Sequence, residues 1–165
     1  MKILVISDSH GRTSGIQRAL SLHPDAEQLI FLGDGAGDLR IVDQSAVKIT
    51  AVRGNCDFLP PTSDLPFTRV ISVMGKRIFM CHGNNYGAGS GSGALLYAAM
   101  EAQADVCLYG HTHVKHNEYV SIPDRGGIYL FNPGSISCPR DCTTPSYGVI
   151  EIRENGILLS HGFIR

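Results

Sequence analysis

The sequence has no tryptophan, almost no net charge and no long apolar run, and the last two shortages each remove a class of function. Its 14 Lys and Arg stand against 15 Asp and Glu, a net charge of −1 over 165 residues. A dedicated nucleic-acid binder carries a basic patch or stripe that this balance does not supply, so no dedicated nucleic-acid partner is expected. A small phosphorylated substrate stays open, because bound metal ions bring positive charge locally. No stretch approaches the roughly 20 apolar residues of a membrane span, so no membrane partner is expected. The first apolar run stops at Ser7-Asp8, too short for a secretory signal. Five cysteines without framework spacing point to a reduced, cytoplasmic location. Cys138 and Cys142, the closest pair, lack the Cys-x-x-Cys pairing of structural zinc sites. There is no internal repeat and no linker, and a 43% hydrophobic chain of this length suits one domain over residues 1–165.

What is present is an alternating pattern in the first half. Residues 2–7, 28–33 and 47–52 read as buried strands, with helices over 13–22 and around 39–44 between them. That βαβαβ order implies a parallel sheet with right-handed crossovers. Residues 58–66, with three prolines, read as an irregular excursion. Residues 68–73 and 76–81 read as a hairpin turning at Met74-Gly75. A glycine-rich loop at 87–93 leads to a helix at about 94–103 and a strand at 105–109. The last third reads as strands 116–122, 127–131, 147–152 and 157–163, the final pair turning at Glu154-Asn155-Gly156. The fold expected is α/β: two packed sheets with helices outside, the N-terminal sheet mostly parallel and the C-terminal one mixed.

Short polar clusters stand where apolar runs stop: Asp8-Ser9-His10, Gly33-Asp34, Gly54-Asn55-Cys56-Asp57, His82-Gly83 and Gly110-His111-Thr112-His113. Ligands of parallel sheets lie outside the carboxyl ends of the strands, which is where these clusters fall. Carboxylate, imidazole and amide oxygen suit hard divalent metals. A short carboxylate can bridge two such ions, and Asp34 is a lone acid placed between the other clusters. Metal one would take Asp8, His10, Asp34 and His113; metal two would take Asp34, Asn55, His82 and His111.

The blocks D-x-H, G-D, G-N-x-D, H-G and G-H-x-H, in that order over residues 8–113, resemble the calcineurin-like metallophosphoesterase superfamily. Asp-Ser-His-Gly, Gly-Asn-Cys-Asp and Asn132-Pro133-Gly134-Ser135 resemble its small YfcE-like phosphodiesterases in particular. The resemblance implies a four-layer α/β/β/α sandwich of two mixed sheets flanked by helices. It implies two divalent metal ions, commonly Mn2+, with Fe, Ni, Zn or Mg as alternatives. It implies a phosphodiesterase in which a metal-bridging hydroxide attacks phosphorus in line with the leaving group. Members often form homodimers or homotetramers, and no distinct oligomerisation signature is present.

Two positions depart from the wider family. Cys56 stands where larger members carry a histidine, a candidate general acid, and a thiolate there is soft and oxidisable. Asn84 stands where YfcE-like members often carry a histidine; it can still hydrogen-bond phosphate. Asp57 is then expected to orient a ligating histidine. Arg12 is a candidate phosphate contact, since guanidinium meets phosphate bidentately. Competing readings are simple ones. Asp8 and Asp34 could be helix caps; His23, His116 and His161 read as surface or edge-strand residues; Ser135 reads as structural. The 87–93 loop lacks the Lys-Ser/Thr of a phosphate-binding P-loop. Two rival functions are a protein-interaction scaffold, as some relatives with this fold are, and a redox or metal sensor using Cys56 and Cys81.

Overall fold

The computed structural model describes residues 1–165. Two five-stranded sheets pack face to face, and each has a helix against its outer side. The first sheet runs β10-β9-β1-β2-β3, from β1 (Lys2–Ile6), β2 (Gln28–Phe31), β3 (Lys48–Ala51), β9 (Ser146–Arg153) and β10 (Gly156–Phe163). The second runs β4-β5-β6-β8-β7, from β4 (Thr68–Val73), β5 (Lys76–Cys81), β6 (Val106–Leu108), β7 (Lys115–Ile122) and β8 (Gly126–Pro133).

Strand β1 shows why the sequence builds this sandwich. Successive strand side chains point to opposite faces, and both faces of β1 are buried, so the run is continuously apolar. Ile3 and Val5 enter the core between the sheets, with Ile30, Leu32, Ile78, Met80, Val106, Leu108 and Phe131. Leu4 and Ile6 face the other way, onto Ile16 and Ala19 of α1 (Thr13–Leu22). In the second sheet Phe79, Cys81 and Cys107 turn outward onto Leu95 and Ala99 of α2 (Gly93–Glu101). Three stacked cores therefore separate four layers, as the α/β/β/α expectation requires.

Three sequence expectations need adjustment. The helix expected around 39–44 is a 3-10 turn over Ala36–Ile41. The last hairpin, β9–β10, does not extend a C-terminal sheet; β9 pairs antiparallel with β1 from Lys2↔Glu151 to Val5↔Gly148. The first sheet is consequently mixed rather than mostly parallel. The turn at Met74-Gly75 has φ of 48° and 77°, the positive values that a two-residue turn matching strand twist demands. No helix is long and apolar enough to cross a membrane.

In the first sheet β1, β2 and β3 run parallel. In the second, β5, β6 and β8 do. Their carboxyl ends open at the same edge of the sandwich, and there the polar clusters gather.

Candidate metal centre

Each cluster begins one to three residues after a strand ends, so its backbone is held by the sheet while its side chains are free to converge. Asp8 N donates to the Gly33 carbonyl (3.0 Å), which ties the first cluster to the second. Gly110 N donates to the His82 carbonyl (2.9 Å), tying the fourth to the fifth. The two sheets are joined across the site: His82 Nδ1 donates to the Leu32 carbonyl (2.8 Å), and His111 N donates to Asp8 Oδ2 (3.2 Å). Asp8, His10, Asp34, His111 and His113 all have positive φ, between 45° and 68°. Non-glycine residues seldom sit there, and such strain gathers at functional sites. Neither Asp8 nor Asp34 caps a helix: the cap positions before α1 and the 3-10 turn are Arg12 and Gly35, and neither makes a side-chain cap bond.

The result is three overlapping donor groups: Asp8–His10–His113, Asp8–Asp34–His82 and His10–Asp34–Cys56. Within each, the donor atoms lie within 4.8 Å of one another. Asp34 Oδ2 is 3.4 Å from His82 Nε2 and 4.0 Å from His10 Nε2. Its other oxygen, Oδ1, accepts the Cys56 amide (2.7 Å). His113 Nδ1 donates to the Cys138 carbonyl (2.7 Å), so Nε2 of the neutral ring carries a lone pair. That nitrogen faces Asp8 Oδ1 at 3.1 Å and His10 Nε2 at 3.3 Å. Three lone-pair atoms so close require a proton or a cation between them. Asp8 Oδ1 and His82 Nε2 are buried with no hydrogen-bond partner, which costs free energy unless something binds there. The donor set fits a hard or borderline divalent cation.

Charge at the site follows from these contacts. Burial opposes ionisation of Asp34, but His82 and the Cys56 amide outweigh it and hold the carboxyl well below the usual carboxylate range. Burial opposes charge on His82 too, but Asp34 and Asp8 raise its pKa above that of a free imidazole. Asp8 likewise raises His113. His111 is lowered, by burial and by the neighbouring His82 ring. Partial burial and the Asp34 carboxylate push the Cys56 thiol up to about 11, and burial pushes Cys81 to about 12. Both stay protonated at neutral pH, so the redox-sensor reading lacks the thiolate it needs. Cys81 points into the α2-side core.

The remaining expected residues divide. The His111 ring lies edge-on to His82, with centroids 5.2 Å apart, outside the tight donor groups. Asn55 is exposed and its amide turns to Cys56 Sγ (3.3 Å) rather than to the donors. Arg12 is exposed beside the site and reaches the Ser137 carbonyl (3.4 Å). Asn84 lies in a 3-10 turn just after His82, its amide donating to Asn85 Oδ1 (2.9 Å).

Asp57 requires a correction: it hydrogen-bonds no histidine. It accepts the backbone N–H groups of Asp34, Gly35, Ala36 and Gly54 at 2.8–3.0 Å. His82 and His113 are oriented by the Leu32 and Cys138 carbonyls instead. Asp57 thereby fastens the Asp34 loop to the Gly54 loop. The two loops press so closely that a Cβ on Gly54 would overlap Asp34 Oδ1, and one on Gly33 would overlap Gly54 N.

Further supports lie around the donors, Ser135 among them in the structural role expected of it. Asp38, buried, accepts Ser9 Oγ (2.6 Å) and Gly11 N (2.8 Å), bracing the His10 loop. Ser135 and Ser137 both donate to the Asp8 carbonyl, at 2.8 and 2.9 Å. Asn132 holds the His111–His113 loop through the Gly110 carbonyl (2.9 Å) and Thr112 Oγ1 (3.1 Å). Asn132-Pro133-Gly134-Ser135 spans the end of β8, so the strand-end rule that found the other clusters applies to it as well. His116 and His161 lie on the edge strands β7 and β10, and His23 contacts Tyr147 Oη (3.0 Å).

Comparison with known proteins agrees with this architecture. Residues 1–155 match the calcineurin-like phosphoesterase superfamily domain. Phosphodiesterase YfcE of Escherichia coli is 32% identical over 176 aligned positions, covering 92% of this chain and 88% of that protein. A crystal structure of a predicted phosphoesterase from Streptococcus pneumoniae superposes with a TM-score of 0.78 at 26% identity, covering 98% of this chain and 88% of that one. Vps29 of Chaetomium thermophilum superposes with a TM-score of 0.72 at 20% identity, covering 98% and 95%, a likeness of fold alone.

Proposed function

The chain belongs to the calcineurin-like phosphoesterase superfamily, and from that premise we propose that it is a metal-dependent phosphodiesterase. Asp8, His10, Asp34 and His113 would hold one divalent ion and Asp34, Asn55, His82 and His111 a second, both of the Mn2+ type. The observation that carries this reading is the pair of buried, unpartnered donors, Asp8 Oδ1 and His82 Nε2, inside overlapping carboxylate–imidazole groups. A protein-interaction scaffold, the function that the fold likeness to Vps29 would otherwise suggest, has no use for them.

When bound, such ions supply positive charge to the phosphoryl oxygens and a water of lowered pKa. The protein's part is positional. Asp34 stays ionised across the neutral range, with one oxygen fixed by the Cys56 amide and the other facing His82 and His10. The Leu32 and Cys138 carbonyls hold His82 and His113 in the tautomer that presents Nε2 to the site. Asn55, exposed, would join the second set by turning its amide away from Cys56 Sγ, which it contacts at 3.3 Å. The Cys56 thiol is a poor proton donor to a departing alkoxide, which favours esters whose leaving groups depart without protonation.

Metal-stripped protein given Mn2+ is expected to hydrolyse bis-p-nitrophenyl phosphate faster than p-nitrophenyl phosphate, with both rates lost on chelation. Cys56→His should speed a diester with an alkoxide leaving group about tenfold or more relative to bis-p-nitrophenyl phosphate, narrowing the preference for esters that depart without protonation, since a positioned imidazole acid contributes at least that to a demanding leaving group. An unchanged preference would remove Cys56 from the account. Hydrolysis indifferent to chelation would overturn the metal-dependent reading.

A further inference from the structure

Beside the donor groups runs a groove of about 580 Å³, between the 3-10 turn at Ala36–Ile41 and the 56–62 excursion. Arg40, Gln44, Cys56, Phe58, Leu59 and Pro61 line it. We infer that this groove is a subsite for the nucleobase of a nucleoside phosphodiester, an inference that rests on the phosphodiesterase reading and names its substrate class.

Continuity is the first argument. Cys56 lines the groove while its sulfur stands within 4.8 Å of the His10 and Asp34 donor atoms, so a substrate phosphorus at the donors would carry one ester group directly into it. Composition is the second. Phe58 and Leu59 are 69% and 65% exposed, both on the groove wall, an apolar surface that includes one aromatic ring on which a planar base can stack. Facing it, Gln44 offers an amide able to pair with a base edge, and Arg40 makes no ion pair or hydrogen bond within the chain. An unpaired cation beside a phosphoester site complements an anionic substrate. An alkyl chain would make no use of either polar group. The volume lies within the ~300–1,000 Å³ of small-molecule sites.

The wall is also built rather than loose. Arg53 donates to the Ser63 carbonyl (2.7 Å) and stacks on Phe67 (4.3 Å to the ring centroid), its backbone N–H bonds the Pro66 carbonyl (2.9 Å), and Thr62 Oγ1 donates to the Leu59 carbonyl (2.7 Å).

The test compares the p-nitrophenyl ester of thymidine 5′-phosphate with methyl p-nitrophenyl phosphate on the Mn2+-loaded protein. In both, water adds to phosphorus, the bond to p-nitrophenolate breaks and a proton is released, so leaving-group chemistry cancels. The nucleoside ester is expected to have kcat/KM about tenfold or more above the methyl ester, the size of one base–aromatic stack. Phe58→Ala should erase most of that ratio through KM, and Arg40→Ala part of it. Equal kcat/KM for the two esters, or a ratio untouched by both variants, would overturn the subsite. Turnover of neither ester would instead overturn the phosphodiesterase reading. The subsite is then decided by Phe58→Trp, whose indole is the only one in the chain: saturable quenching by adenosine 5′-monophosphate sustains it, and no response overturns it.

Discussion

Asp34→Asn is expected to lower Mn2+-dependent diester hydrolysis at least about a thousandfold, or ~4 kcal/mol of transition-state stabilisation, while leaving the protein folded. Its Oδ2 faces both His10 and His82, at 4.0 and 3.4 Å, and lies nearer to His82 than Asp8 Oδ1 does at 4.0 Å. Asparagine keeps the shape and a carbonyl oxygen for the Cys56 amide. It removes the charge that burial opposes and that His82 and that amide sustain. Circular dichroism and melting temperature should stay near those of the parent, and metal affinity should fall. A variant that binds metal as before and turns over within tenfold of the parent would show that Asp34 is not shared between the two sites.

Asp57→Ala should produce the largest loss of stability of any single change at the site. Four backbone N–H groups converge on this one buried carboxylate. Each unpaired buried donor costs about 1–3 kcal/mol. Allowing for relaxation and water entry, the net loss is about 4 kcal/mol, out of the ~5–15 kcal/mol typical of a whole domain. For a chain of this size that lowers the melting temperature by roughly 8–16 °C. Asp57→Asn, which keeps one acceptor oxygen, should fall between the two. A melting temperature within ~2 °C of the parent for Asp57→Ala would mean that the Asp34 and Gly54 loops hold together without it.

The sequence makes one class of feature visible and hides another. Strands β1 and β2 could be read because both their faces are buried, leaving runs such as Ile3-Leu4-Val5-Ile6 with no other good explanation. The donors at 8, 10, 34, 82 and 113 could be read because polar residues at the ends of such runs must sit at one edge of a parallel sheet. The pairing of β9 with β1 could not, since nothing local in Val149-Ile150 names a partner nearly 150 residues away. The role of Asp57 was hidden for a related reason. A carboxylate that accepts backbone N–H groups depends on the path of the loops around it, and that path is set by close approaches such as Gly33 against Gly54. Asp38 and Ser137 belong with it: each braces a donor loop through contacts that only the folded chain creates. The subsite groove likewise joins residues 36–44 to 56–62 across two loops, and no spacing rule connects them.

The central claim is that two ions share this donor set and act together. Its most direct test is titration of Mn2+ into stripped protein, with bound metal and bis-p-nitrophenyl phosphate hydrolysis followed in the same samples. The account predicts saturation at two ions per chain, with activity rising chiefly as the second ion binds. Full activity at one ion per chain, or two ions bound with no turnover of the diester, would contradict it.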